Sequence, residues 1–247
     1  MYFEYNLVEE VSSMKSLIFI VLLGFSLSAN VNVVCKAGIM DNKDAKTYIH
    51  KLLKKEPKNI ECILKLADIN LKSGDILKGY QYIARVYKLN PEAMKNSDVA
   101  DILPFALEMT DMAKKAKKNS DKNLWNQLGN NFFNMGVYNE AINAYEKSLV
   151  LDKHQADICL KLAISYKKTD RFYKAVEEFK HVIEQKKETF YANYYLGKIF
   201  KYSLNDPTSA KKYLLTAKTI LEKQKDSFKE DQYSHYMYDV TTEINKK

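Results

Sequence analysis

Apolar residues along this chain return every three or four positions rather than every second one. In LWNQLGNNFFNMGVYNEAINAYEKSLVLD, residues 124–152, Trp125, Leu128 and Phe132 form one stripe, and Tyr138, Ala141, Tyr145 and Leu149 form another beyond Gly136. Such spacing puts side chains on one face of an α-helix, so the stretch predicts two amphipathic helices joined by a tight turn. Gly129 lies inside the first stripe. A glycine in a helix interior costs roughly 1 kcal/mol relative to alanine, so some close neighbour must gain from the bare backbone.

The pattern repeats. Trp125, Leu128, Gly129, Phe132, Ala141 and Tyr145 return 34 residues later as Cys159, Leu162, Ala163, Tyr166, Ala175 and Phe179. Asn193, Leu196, Gly197 and Phe200 follow at the same step, then Ala210, Leu214 and Ala217 after a one-residue slip in the loop around Pro207. Upstream, Leu66, Ala67, Gly74, Gly79, Ile83, Val86 and Pro91 share the frame, and Ala45, Ile49, Leu52 and Pro57 supply the second half of a unit. Small residues hold the eighth position (Ala67, Gly129, Ala163, Gly197) and the twentieth (Gly79, Ala141, Ala175, Ala210). If each unit is a helix, a turn and an antiparallel helix, these are the points where two backbones approach most closely. Gly74 and Gly136 fall between the helices, where a left-handed residue closes a helix at low cost. Pro57 and Pro91 end second helices.

A fixed period of this length marks a repeat architecture, and the residues resemble the tetratricopeptide repeat, whose pattern W-x2-L-G-x2-Y, A-x3-F-x2-A, P is nearly complete in 122–155. The resemblance implies an all-α fold, an α-solenoid of antiparallel helix pairs. The organisation expected is an N-terminal extension and signal peptide or anchor at 1–29, a linker at 30–42, and a repeat array at 43–224. Within the array lie a half repeat at 43–58, units at 60–93, 122–155, 156–189 and 190–224, and a degenerate unit at 94–121. In that degenerate unit Val99, Ile102, Leu103, Ala106, Met109, Ala113 and Ala116 keep a helical stripe, with Asp101 as N-cap and Pro104 in the first turn. KKAKKNSDKN, residues 114–123, then reads as a Lys-rich solvated loop. Residues 225–247 read as a capping helix that opens with a Ser227–Glu230 capping box. Its face of Tyr233, Tyr236, Met237, Val240 and Ile244 would cover the last unit's core, as solenoids require.

The resemblance also implies a site. In such arrays the first helices line a concave groove, and the second, fifth, ninth, twelfth and thirteenth positions face it. Here these are Asn123, Asn126, Asn130, Phe133 and Asn134, then Asp157, Leu160, Ile164, Lys167 and Lys168, then Tyr191, Tyr194, Lys198, Lys201 and Tyr202. Asparagine offers donor and acceptor together, so the Asn row suits an extended peptide backbone, with Tyr and Lys choosing side chains or a terminal carboxylate. The Lys/Asn/Asn/Lys/Arg clamp of chaperone-tail adaptors in this family is not reproduced, because Asn126, Lys161, Tyr191 and Tyr195 stand at positions where clamp residues would be expected.

The N-terminus changes the picture of location. From Met14, MKSLIFIVLLGFSLSAN gives Lys15, an apolar run from Leu17 to Leu27, then the small residues Ser26, Ser28 and Ala29, the order of a secretory signal peptide cut after Ser28 or Ala29. Glu4, Glu9 and Glu10 precede it, which favours Met14 as the start. An uncleaved anchor is the alternative, with a run shorter than the ~20 residues a spanning helix needs. Cys35 is a candidate for lipidation, although Val33 and Val34 stand where a small residue is usual.

Composition then trims the function classes. The formal charge is +8, but Arg85 and Arg171 are the only arginines. Nucleic-acid readers favour the planar fork of Arg, so the Lys excess reads as solvated surface. Three cysteines without CxxC spacing, four dispersed histidines and the absence of HExxH, GxSxG or a glycine-rich loop point to no metal, no cofactor and no catalysis. The expectation is an exported, envelope-associated scaffold that binds another protein or peptide segment. The alternatives are a cytoplasmic adaptor and, less favoured, an RNA-binding helical repeat.

Overall fold

The computed structural model describes residues 42–95, 99–187 and 189–246. The segment read as a signal peptide or anchor, and Cys35, lie outside them. Every regular element among the described residues is helical: α1 (Asn42–Lys55), α2 (Ile60–Lys72), α3 (Ile76–Leu89), the short α4 (Glu92–Lys95), α5 (Leu103–Asn119), α6 (Lys122–Asn134), α7 (Tyr138–Leu151), α8 (Ala156–Lys168), α9 (Phe172–Glu184), α10 (Thr189–Tyr202), α11 (Pro207–Lys223) and α12 (Glu230–Asn245). No described helix is long and apolar enough to cross a membrane.

The described chain forms two compact units that divide between Leu124 and Trp125. In the first, α1 packs on α2, α2 on α3, and α3 on α5. Ala45, Ile49, Ile63, Leu66, Ile83, Met94, Ala106 and Met109 fill its core, and Tyr80 meets Phe105 edge-on at 5.7 Å. Leu53, rather than Leu52, completes the buried side of α1. In the second unit α7 packs on α8, α8 on α9, α9 on α10, α10 on α11, and α11 on α12. This serial stacking of antiparallel neighbours is the solenoid architecture.

One turn recurs in every helix pair. The amide five residues on from a first-helix carbonyl bonds back to it: Asp75 to Asn70 at 2.9 Å, Val137 to Phe132 at 2.9 Å, Arg171 to Tyr166 at 2.9 Å, and Leu204 to Ile199 at 3.0 Å. That is the six-to-one bond of a Schellman turn, and it needs a left-handed residue. Gly74 (φ +84°), Gly136 (φ +75°) and Asp170 (φ 58°) supply it in the first three; in the fourth the left-handed residue comes one position later, at Asn205 (φ 52°), and the Asp206 amide then bonds the Phe200 carbonyl at 2.8 Å. Asp and Asn tolerate this conformation better than other side chains because their short polar groups bond locally.

The helical glycines answer chiefly to a neighbouring side chain rather than to a second backbone. A Cβ added to Gly129 would lie 2.5 Å from Tyr145 Cε1, one on Gly197 2.5 Å from Leu214 Cγ, and one on Gly79 2.5 Å from Leu71 Cδ2. In each case the gain is a large side chain of the same pair seated where a methyl would be.

Three local expectations are corrected. α5 continues through Asn119, so Lys114, Lys115, Lys117 and Lys118 are helical and the connection shrinks to Ser120 and Asp121. Lys and Ala are good helix formers, and cations suit a helix C-terminus. Asp101 does not cap α5, whose N-cap residue is Ile102 with no side-chain bond. The capping helix begins after Lys229, whose amide donates to Gln232 Oε1 at 3.2 Å, while Ser227 closes a 3₁₀ turn. Phe228 packs against Phe190 and Tyr236, and this anchor delays the helix start.

Candidate functional site

The groove candidates on α6 divide by environment. Asn123 and Asn134 are exposed, whereas Asn126 and Asn130 are half-buried and hold helices together. Asn126 Nδ2 donates to Gln155 Oε1 at 2.7 Å, and Gln155 Nε2 in turn donates to Ser148 Oγ at 3.0 Å and to the Asp152 carbonyl at 2.7 Å. Asn130 Oδ1 accepts from Tyr145 Oη at 2.9 Å and from Lys161 Nζ at 2.7 Å. Burial lowers the Lys161 pKa, against the opposing pull of Asp157, and raises that of Tyr145. The Asn row is thus partly a strut between α6, α7 and α8. Asn130 serves because one amide oxygen can accept from two donors at once.

On α8, Lys168 and Asp157 are exposed, Ile164 and Lys167 half-exposed, and Leu160 is buried. Lys167 Nζ lies 5.3 Å from the centre of the Tyr195 ring, which stacks on Phe179.

The α10 candidates hold the C-terminal helix. Tyr194, expected to face solvent, is only 7% exposed. Its ring packs with Phe190 and Tyr236, and its hydroxyl donates to the Asp239 carboxylate. Lys198 Nζ reaches Asp239 Oδ2 at 3.3 Å and Tyr194 Oη at 3.0 Å. Lys201 Nζ donates to the Glu243 carbonyl at 2.6 Å and Oε2 at 3.1 Å, and to the Lys246 carbonyl at 3.1 Å. Tyr202 donates to the Glu243 carboxylate, and Tyr191 meets Tyr236 edge-on at 5.7 Å. Burial, then the Asp239 bond, raises the Tyr194 pKa, and the Glu243 bond pushes Tyr202 up to about 12. The physical reason is a core that would otherwise be open: Phe190, Leu214, Ala217 and Leu221 need a cover, and α12 supplies Tyr236 and Val240.

A second cluster was not legible in the sequence. Cys159 on α8 and Glu178 and His181 on α9 bring one ligand-type atom each to within 4.8 Å of one another. Gln185 Nε2 lies 3.6 Å from Cys159 Sγ. Cys159 is fully buried, and burial, then Glu178, pushes its thiol up to about 11; burial also raises Glu178. A search for CxxC or HExxH spacing misses the set because its members lie on two helices. Glu-x-x-His one turn apart on α9, opposite a cysteine at the fourth position of the same unit, was the available signal.

Comparison with protein families matches residues 123–155 and 156–189 to the tetratricopeptide repeat. Comparison with curated proteins gives no match. Among solved structures, "Crystal structure of MamA protein" is 21% identical over 75% of this chain and 86% of that one, with a TM-score of 0.40. "TPR2AB-domain:pHSP90-complex of yeast Sti1" is 14% identical over 81% of this chain and 80% of that one, with a TM-score of 0.43. With likenesses of that size, the architecture rests on the chain's own helix pairs. The 34-residue period, the Schellman turns and the glycine contacts agree with the match of residues 123–155 and 156–189 to the tetratricopeptide repeat.

Proposed function

We propose that this chain is a non-catalytic scaffold that binds a segment of another protein along the first helices of its second unit. The reading rests on the α6–α8 face, where the Asn130–Lys161 bond fixes two neighbouring first helices and leaves exposed polar groups, Asn134 and Lys168, beside it. A face braced in this way is largely preformed, which limits the ordering cost of binding. Exposed amide and ammonium groups suit an extended or acidic segment. The α10 positions do not contribute, since they hold α12.

The chain is also proposed to act outside the cytoplasm, at the cell envelope. Lys15, the apolar run to Leu27 and the small residues Ser28 and Ala29 support export, and Cys35 offers a tether. Capture from envelope extracts with residues 30–247 tests the binding reading. Asn134→Ala combined with Lys168→Glu should lower capture at least about tenfold, roughly 1.4 kcal/mol, with unchanged circular dichroism. Undiminished capture by the folded double variant would move the site off this face.

A further inference from the structure

The fourth, twenty-third and twenty-sixth positions of a unit lie on its two helices and differ in chemistry from unit to unit. In the 122 unit they are Trp125, Ala144 and Lys147, and Lys147 Nζ stands 4.5 Å over the Trp125 ring. In the 60 unit they are Ile63, Tyr82 and Arg85. In the 156 unit they are Cys159, Glu178 and His181, so the same positions carry a thiol, a carboxylate and an imidazole, with ligand-type atoms within 4.8 Å of one another. From this juxtaposition we infer a binding site for a zinc-class divalent ion between α8 and α9.

The donor set selects the ion. Sulfur with imidazole nitrogen suits zinc or cobalt, whereas calcium and magnesium take oxygen ligands. Tetrahedral ligands at zinc distances lie roughly 3.3–3.6 Å apart, so the three atoms, within 4.8 Å of one another, close by up to about 1.5 Å. Glu178 and His181 are half-exposed, which gives their side chains room to move and the ion a path from solvent. They stand three residues apart on α9, where side chains are neighbours on one helix face. The fully buried Cys159 forms the floor. Ion binding forms the metal–sulfur bond as the thiol releases its proton to solvent. The Gln185 amide, already 3.6 Å from the sulfur, would then donate to the thiolate, and water would complete the fourth position. Such an ion would pin α8 to α9 in the unit that presents Lys168, without itself taking part in partner binding.

The test uses the full chain, freed of metal by chelation, with Co²⁺ as probe. One equivalent should produce a thiolate-to-cobalt charge-transfer band in the near ultraviolet and visible bands of a tetrahedral ion, both bleached by Zn²⁺. Cys159→Ser should abolish the charge-transfer band and Cys62→Ser should leave it unchanged. His181→Gln and Glu178→Gln, at half-exposed positions, should each weaken Co²⁺ binding at least about tenfold while retaining the helical circular dichroism, which keeps the test valid if the buried serine variant does not fold. Absence of the charge-transfer band in the parent chain overturns the site. So does a band that survives Cys159→Ser, or affinity unchanged in either glutamine variant.

Discussion

At the scale of single residues, glycines that look alike in the sequence do different work. Gly129 is a packing glycine, because a Cβ there would lie 2.5 Å from the Tyr145 ring; Gly136 is a conformational one, with φ +75° and nothing within 4 Å of an added Cβ. Gly129→Leu should therefore destabilise by about 1–3 kcal/mol through overpacking. Gly136→Ala should cost about 1–2 kcal/mol, from the left-handed backbone alone. Trp125, 6% exposed under Lys147, should cost on the order of 3–5 kcal/mol when truncated to Ala. Urea denaturation of the three variants checks all of these. A Gly136→Asn variant losing as much as Gly136→Ala would contradict the conformational account, since Asn tolerates that backbone.

At the scale of elements, α12 decides how the array ends. It covers Phe190, Leu214 and Leu221 and is held by Tyr194, Lys198, Lys201 and Tyr202 through Asp239 and Glu243. These carboxylates are partly exposed, so Asp239→Asn should loosen the helix rather than unfold the unit. Hydrogen exchange should quicken across 230–245 and stay slow across 156–168. The tyrosines add a pH dependence. Tyr194 and Tyr202 have pKa values raised in the folded state, Tyr202 to about 12. The folded chain therefore keeps these protons after the unfolded chain has released them. Their contribution is fully present below about pH 10, the ordinary tyrosine value, and is lost as pH rises from there through 12. Denaturation midpoints measured from pH 8 to 12 should fall, and Tyr202→Phe should flatten part of that fall.

At the scale of the whole molecule, the proposed binding face is smaller than the groove the repeat pattern implies. A variant combining Asn130, Lys168 and Tyr194 would break a strut and a buried contact along with any surface, so its loss of capture would report folding as much as binding. The Asn134 and Lys168 pair, both exposed, separates the two. Location is a distinct question with its own measurement. Mass spectrometry of the native protein should find a terminus near Asn30 or an acylated Cys35. An intact Met1 or Met14 terminus in the soluble cytoplasm would overturn export.

By itself the sequence determined the helix pairs, their period and the positions that admit only a small residue. Those properties are local or repeat-encoded: stripe spacing, turn residues and small side chains carry the same meaning in each 34-residue unit. That Gly129 and Gly197 each face a close neighbour could be inferred from phase; that the neighbours are the side chains of Tyr145 and Leu214 could not. The tertiary structure decided what depends on which unit follows which. Asn126 and Asn130 became struts because Gln155 at the end of their own unit and Lys161 of the next bond to them, and Tyr194 was buried because α12 covers the apolar face of α10 and α11. Cys159, Glu178 and His181 met only when α9 folded back on α8. Neither the neighbour across a helix interface nor the end of a stack has a signature in local spacing, and that is where the site residues acquired their roles.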